Sequence, residues 1–147
     1  MKIYQEYSLT IVEKELLKQF INATLNGDKF IILGAQEISK ILNLSRPRIY
    51  AILKNLESKK ILEKFKRKGF ILTNKGENLI HELIHREKIL ETYFFQELGF
   101  SIENSVDEAS TISMYISSFL INSLCERLHM PKVCPHGFKI SHDLSTH

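Results

Sequence analysis

Residues 35–73, AQEISKILNLSRPRIYAILKNLESKKILEKFKRKGFILT, constrain the fold more than any other stretch of this chain. Apolar residues at helical spacing predict one helix over 35–42 and a second over 45–59. Two strands follow, over 61–66 and 70–73, joined by Arg67-Lys68-Gly69, where the glycine can take positive φ. Ser45 stands where its hydroxyl can cap the free N–H groups of the second helix, and Pro47 falls in the first turn, where a missing donor costs nothing. Ile49, Ile52, Leu53 and Leu56 turn inward, which leaves Pro47, Tyr50, Ala51 and Lys54 on the opposite face. Two helices, an outward face and a hairpin together outline a winged helix-turn-helix.

Charge indicates what that face meets. Between Ser45 and Phe70 there are nine Lys or Arg against two acids, a local charge of +7 in a chain whose total is +3. Such a concentration on a helix and hairpin suits the phosphates of double-stranded DNA, and it predicts a DNA face of Gln36, Ser45, Arg46, Pro47, Arg48, Tyr50, Lys54, Lys66, Arg67 and Lys68.

The remainder reads as mainly helical. Leu9, Val12, Leu16, Phe20 and Ala23 predict an amphipathic helix over 9–26, ended by Asn26-Gly27-Asp28. Thr73 or Asn74 caps a long helix that Gly99 stops near Leu98, and a last major helix is predicted over 106–128 with Asp107 and Glu108 in its first turn. Residues 101–124 hold no Lys or Arg, so they are not a DNA surface. Their helix is more apolar than one core face needs: Ala109, Ile112, Ile116, Phe119, Leu120 and Leu124 form a stripe, with Met114, Tyr115 and Ile121 outside it. The surplus predicts a homodimer arm through Ile112, Tyr115, Ile116, Phe119 and Leu120, the competing reading being a buried core helix. The fold expected is mainly α with a small β-hairpin: a winged helix-turn-helix over 1–73, a helical dimerisation part over 74–140 and a tail over 141–147. The N-terminus lacks the apolar core of a signal peptide, and Met114 to Leu124 is too short and polar to span a bilayer, so a cytoplasmic protein without a membrane partner is expected.

Two groups of side chains suggest metal. Glu87 and Glu91 fall on the apolar face of the long helix, set by Ile80, Leu83, Ile84, Leu90 and Phe94, where a carboxylate needs a cation, a proton or a basic partner. Cys125, His129, Cys134 and His136 offer sulfur and imidazole donors suited to zinc or iron, although a buried unreactive thiol is the commoner state of a cysteine. In a reducing compartment Cys125 and Cys134 read as thiols or ligands more readily than as a disulfide. His81-Glu82-Leu83-Ile84-His85 is a formal HExxH match to a zinc hydrolase, but helical geometry turns both histidines away from the apolar face and no GxxH follows, so no enzyme is expected.

The order of parts resembles the diphtheria toxin repressor and manganese transport regulator family of metal-dependent transcriptional repressors. The resemblance covers nearly all of residues 9–140 and rests on SRPRIYAILKNLESKKIL, on LTNKGENLIHELIHREKILETYFFQELGF, on DEA at 107–109 and on CERLHMPKVCPHGFKI, whose Cys-Pro-His-Gly run is its most specific mark. It implies a homodimeric DNA-binding repressor tuned by a divalent transition metal, Fe, Mn or Zn, with Ser45 and Pro47 near base edges and Ala51 where a polar reader is common. The family's metal ligands map onto Glu87 and Glu91, onto Ser110, Ser113 and Met114, onto Val106, and onto Glu13 or Glu15. Most of these are not ligands, so the resemblance implies an altered or lost metal switch. A metal-independent winged-helix regulator sensing a small apolar ligand at the dimer arm is the alternative.

Overall fold

The computed structural model describes residues 9–24 and 31–142. The predicted Asn26-Gly27-Asp28 stop and residues 143–147 of the predicted tail lie outside the described residues. The elements are α1 (Ile11–Thr24), α2 (Ala35–Leu42), α3 (Arg46–Ser58), β1 (Leu62–Phe65), β2 (Gly69–Leu72), α4 (Asn74–Leu98), α5 (Ile102–Ile112) and α6 (Ser118–Arg127). They fall into two compact units that divide within α4, one comprising residues 9–80 and the other beginning at His81.

In the first unit, Leu16, Leu17, Phe20, Ile38, Ile49, Leu53, Leu56, Leu62, Phe70 and Ile80 are buried. Asn43, at φ 53, turns the chain from α2 toward α3, a left-handed conformation that Asn tolerates better than most residues. Ser45 occupies the N-cap position of α3, but its side chain makes no cap hydrogen bond, contrary to the expectation from sequence. The first turn is held instead by backbone, the Ile49 N–H donating to the Ser45 carbonyl at 3.0 Å.

The hairpin is antiparallel, with Leu62 opposite Leu72 and Phe65 opposite Gly69, so its turn is one residue nearer the N-terminus than predicted. Leu33 adds a bridge on the other side of β2, exchanging backbone hydrogen bonds of 3.1 and 2.9 Å with Phe70. Gly69, at φ +143, has no room for a side chain, because a Cβ there would lie 2.5 Å from the Leu33 carbonyl oxygen. Thr73 caps α4, its Oγ1 accepting from the Gly76 N–H at 3.1 Å. The same hydroxyl lies 3.0 Å from the Ile61 carbonyl and so ties the helix start to the base of the wing.

The second unit is built around Ile89, Leu90, Ala109, Ile121, Cys125, Leu128, Cys134 and Ile140. The single helix predicted over 106–128 is two helices here, broken at residues 113–117. No Gly or Pro marks the break, and the reason is polar. Ser101 caps α5 by accepting from the Asn104 N–H at 3.1 Å, which starts that helix before Val106, and Ser117 caps α6 by accepting from the Leu120 N–H at 3.2 Å. Between them the guanidinium of Arg86, buried at 1% exposure, donates to the Ile116 carbonyl and, at 2.8 Å, to Ser118 Oγ. The break resets the helical register, so Met114 and Ile121, placed outside the apolar stripe by sequence, are buried, whereas Tyr115, Phe119 and Leu120 are exposed.

His85 is a second correction. It does not turn to solvent but lies half-buried against His142, with ring centroids 5.6 Å apart in an edge-to-face arrangement. Burial, the main cause, holds its imidazole below the usual histidine range.

Gly76 provides a test of how closely α4 starts on the wing. A Cβ there would sit 2.1 Å from the Ile61 carbonyl oxygen, a backbone atom that cannot swing aside. Gly76→Ala is therefore expected to destabilise the protein by about 1–3 kcal/mol despite alanine's better helix propensity. Urea denaturation followed by circular dichroism measures it, and a stability equal to wild type would show that the contact relaxes freely.

Candidate nucleic-acid interface and metal centre

All ten residues of the predicted DNA face are exposed. The burial of Ile49, Leu53 and Leu56 fixes the rotation of α3, and that rotation directs Arg46, Pro47, Arg48, Tyr50 and Lys54 to solvent. The wing presents Lys64, Lys66, Arg67 and Lys68, with Lys66 at φ 50 and its ammonium 5.6 Å from the centre of the Phe65 ring. Two lysines are already engaged. Lys54 pairs with Glu57 at 2.8 Å, and the hydrogen bond it donates to that carboxylate raises the lysine above its usual range. Lys59 pairs at 3.2 Å with Glu13, a buried carboxylate that also receives a 3.4 Å hydrogen bond from Asn55. Glu13 thus braces α1 against α3.

The metal candidates regroup. Glu91, Cys134 and His136 converge, with one ligand atom from each lying within 4.8 Å of the others. Glu91 and Cys134 are each only 3% exposed, and His136 sits at the surface. The Glu91 carboxylate contacts His136 Nδ1, and Cys134 Sγ lies 3.3 Å from the same nitrogen. Burial pushes the Cys134 thiol up from its usual pKa.

A tight turn makes this possible. The Gly137 N–H donates to the Cys134 carbonyl and the Cys134 N–H to the Phe138 carbonyl, both at 2.9 Å, while Val133 bridges Lys139. Gly137 takes φ +92, the left-handed region that glycine enters without strain. Phe138 packs edge to face on His136 with centroids 4.7 Å apart, and Lys88 of α4 donates to the Lys139 carbonyl at 2.7 Å. Sulfur, imidazole and carboxylate donors in this arrangement fit zinc or iron(II) better than manganese, which favours oxygen.

The other candidates stand apart from that cluster. Glu87 receives a hydrogen bond from the buried Ser113 hydroxyl at 3.4 Å, and His129 is exposed after α6 at φ 59. Cys125 faces Met130 and His142. The site therefore draws on both groups that sequence suggested, one member from the helix, Glu91, and two from the turn, Cys134 and His136. Only the fold could join them. The HExxH segment has no hydrolase geometry among the described residues: His81 is exposed, His85 packs on His142, and Glu82, the would-be base, pairs with Arg86 at 3.3 Å.

Comparison with known proteins agrees with this fold. Residues 73–142 match the family model described as iron dependent repressor, metal binding and dimerisation domain. The HTH-type transcriptional regulator MntR of Oceanobacillus iheyensis is 28% identical over 80 residues, 54% of this chain and 54% of that protein. The manganese regulator SloR superposes with a TM-score of 0.75 at 25% identity, over 88% of this chain and 59% of SloR. ScaR with bound Zn2+ gives 0.75 and 25%, over 90% of this chain and 60% of ScaR. A hypothetical protein from Sulfolobus solfataricus shares the fold at a TM-score of 0.77 and 23% identity, over 90% of this chain and 99% of its own. Residues 73–142 thus match a family of iron dependent repressors, and over most of its length the chain is similar in fold to metal-responsive regulators. It spans about half the length of the curated relative it matches.

The cluster makes a direct prediction. Cys134→Ser should lower zinc affinity at least tenfold in a competition titration with a chromophoric chelator, and Glu91→Gln should weaken it comparably, whereas His129→Ala should leave it unchanged. Equal zinc affinity in wild type and Cys134→Ser would exclude the cluster as the binding site.

Proposed function

We propose that the protein is a homodimeric winged helix-turn-helix transcriptional regulator, acting as a repressor in the cytoplasm, with an altered metal switch. The observation that carries this reading is the fixed rotation of α3. Three buried aliphatic residues hold the exposed basic and polar face outward beside a basic wing. In this reading Arg46, Arg48, Lys66, Arg67 and Lys68 meet phosphates, Ser45, Pro47 and Tyr50 approach base edges, and Gln36 and Lys54 support them. Winged-helix dimers bind paired half-sites, and the exposed Tyr115, Phe119 and Leu120, with the half-buried Ile112 and Ile116, supply an apolar seam for a second copy. No described helix is long and apolar enough to cross a membrane.

The switch is altered because the aligned family ligand positions carry Ser110, Ser113 and Met114. Met114 and Ser113 are buried, and Ser113 is bonded to Glu87, so that region is packed by ordinary side chains. Glu91, Cys134 and His136 are the residues that would hold a metal, and zinc or iron(II) bound there would join α4 to the 133–139 turn. A small ligand sensed at the dimer arm is the competing effector.

Three measurements test the proposal. Arg48→Ala and Lys66→Ala should each weaken binding to all duplexes alike and reduce the slope of log affinity against log salt by about one, because phosphate contacts displace counterions without reading sequence. Unchanged affinity at low salt in both variants would remove the DNA face. Phe119→Glu should give monomers by analytical ultracentrifugation, since Phe119 is 81% exposed in the single chain and would bring a charge into the seam. A wild-type protein that is itself monomeric at micromolar concentration would overturn the arm. Operator binding, titrated with zinc, iron(II) and manganese before and after chelation, should tighten with zinc or iron(II) and keep a weaker metal-free component. A strict manganese requirement lost in Ser110→Ala would show that the switch is the standard one.

A further inference from the structure

A second group of soft donors lies at the end of α6 and is not used by the reading above. Cys125 Sγ is 3.4 Å from Met130 Sδ and 3.6 Å from His142 Nδ1. His142 Nε2 lies 2.7 Å from the Pro131 carbonyl, an acceptor only, so that nitrogen carries the proton and the Nδ1 lone pair points at the sulfur. A histidine whose second nitrogen donates to a carbonyl is the arrangement that orients metal-binding imidazoles. Behind it packs His85, whose Nδ1 is buried without a hydrogen-bond partner.

The backbone is bent to bring the thioether in. His129 and Met130 take φ 59 and 52, two consecutive non-glycine residues in the left-handed region. The Met130 N–H donates to the Cys125 carbonyl at 2.9 Å, which closes the end of α6 and places Met130 over the cysteine. Glycine or asparagine usually serves at such a helix end. Here neither is present, and the bend sets the Met130 thioether 3.4 Å from Cys125 Sγ.

We propose that Cys125, Met130 and His142 Nδ1 form a binding site for monovalent copper, separate from the Glu91, Cys134 and His136 cluster. The donor set selects the ion. Zinc and iron(II) take thiolate, imidazole and carboxylate, whereas a thioether beside a thiolate favours soft copper(I). Bonds of the length zinc makes, about 2.3 Å to sulfur and 2.0–2.1 Å to nitrogen, place two ligand atoms roughly 3.6–4.0 Å apart, a range that the Sγ–Nδ1 separation of 3.6 Å meets and that the Sγ–Sδ separation of 3.4 Å approaches from below. Binding would release the Cys125 proton to solvent. It would also tie both ends of the 130–142 segment, which carries Cys134 and His136 between them.

Anaerobic titration of the full chain with copper(I), in competition with a chromophoric copper(I) chelator, tests the site. A Glu91→Gln, Cys134→Ser background silences the other cluster and should still take one equivalent of copper(I). In that background Cys125→Ser should abolish the tight equivalent, and Met130→Leu should weaken it about tenfold or more. Met130 is half exposed, and leucine conserves its volume, so Met130→Leu reports on the ligand even where Cys125→Ser folds poorly. X-ray absorption should show two sulfurs and one nitrogen around copper, falling to one sulfur in Met130→Leu. Copper(I) affinity indifferent to Met130→Leu, or no tight equivalent in the silenced background, would overturn the proposal.

Discussion

The second unit is organised by the need to answer two charges buried on α4. Arg86 and Glu91 lie at 1% and 3% exposure, five positions apart along one helix, and an ion held out of water without partners costs several kcal/mol. Glu82 of the same helix meets part of the Arg86 charge, and a different segment completes the partners of each residue. Arg86 takes the Ile116 carbonyl and the Ser118 hydroxyl, and so determines where one apolar stretch becomes two helices. Glu91 takes His136, and so determines where the Cys134–Gly137 turn must lie. Aliphatic residues fill the space between, but they do not choose these positions. Leucine packs adequately in many registers, whereas a guanidinium has few acceptors it can reach.

In the first unit the same logic works on a smaller scale and serves an outward face. The buried Glu13 carboxylate is met by Asn55 and Lys59 from α3, which adds a polar pin to the hydrophobic lock of Ile49, Leu53 and Leu56. Rigid placement matters for the face proposed to meet DNA, since selectivity there would depend on which side chains reach base edges. The charge distribution adds direction. With +7 between Ser45 and Phe70 in a chain of total +3, the remaining residues sum to −4, so the excess positive charge is concentrated on α3 and the wing.

The first unit was more legible from sequence than the second, for physical reasons. α2, α3 and the hairpin announce themselves through helical spacing, strand alternation and a glycine at the turn, all local signals, and Gly99 ends α4 where expected, at φ +69. Ser45 shows the limit of local reasoning: it holds the capping position without making the capping bond. The α5–α6 break was missed because its cause lies in Arg86, some thirty residues upstream of the carbonyl it captures. Ser117 was the available hint, a good cap hidden in an apolar run. The metal cluster was half legible. Its members were each suspected, but Glu91 and His136 are 45 residues apart, and spacing alone could not choose His136 over His129.

The pairing of Lys54 with Glu57 on the exposed edge of α3 bears on how such a protein could change its grip over generations. A lysine whose charge is already balanced by its own helix brings little net attraction to a phosphate, so part of the basicity written in the sequence is held in reserve. Loss of the acid, rather than gain of a base, would release it. A single substitution at position 57 could thus strengthen attachment to every duplex without altering a residue that discriminates among them, and affinity and selectivity would be free to drift separately.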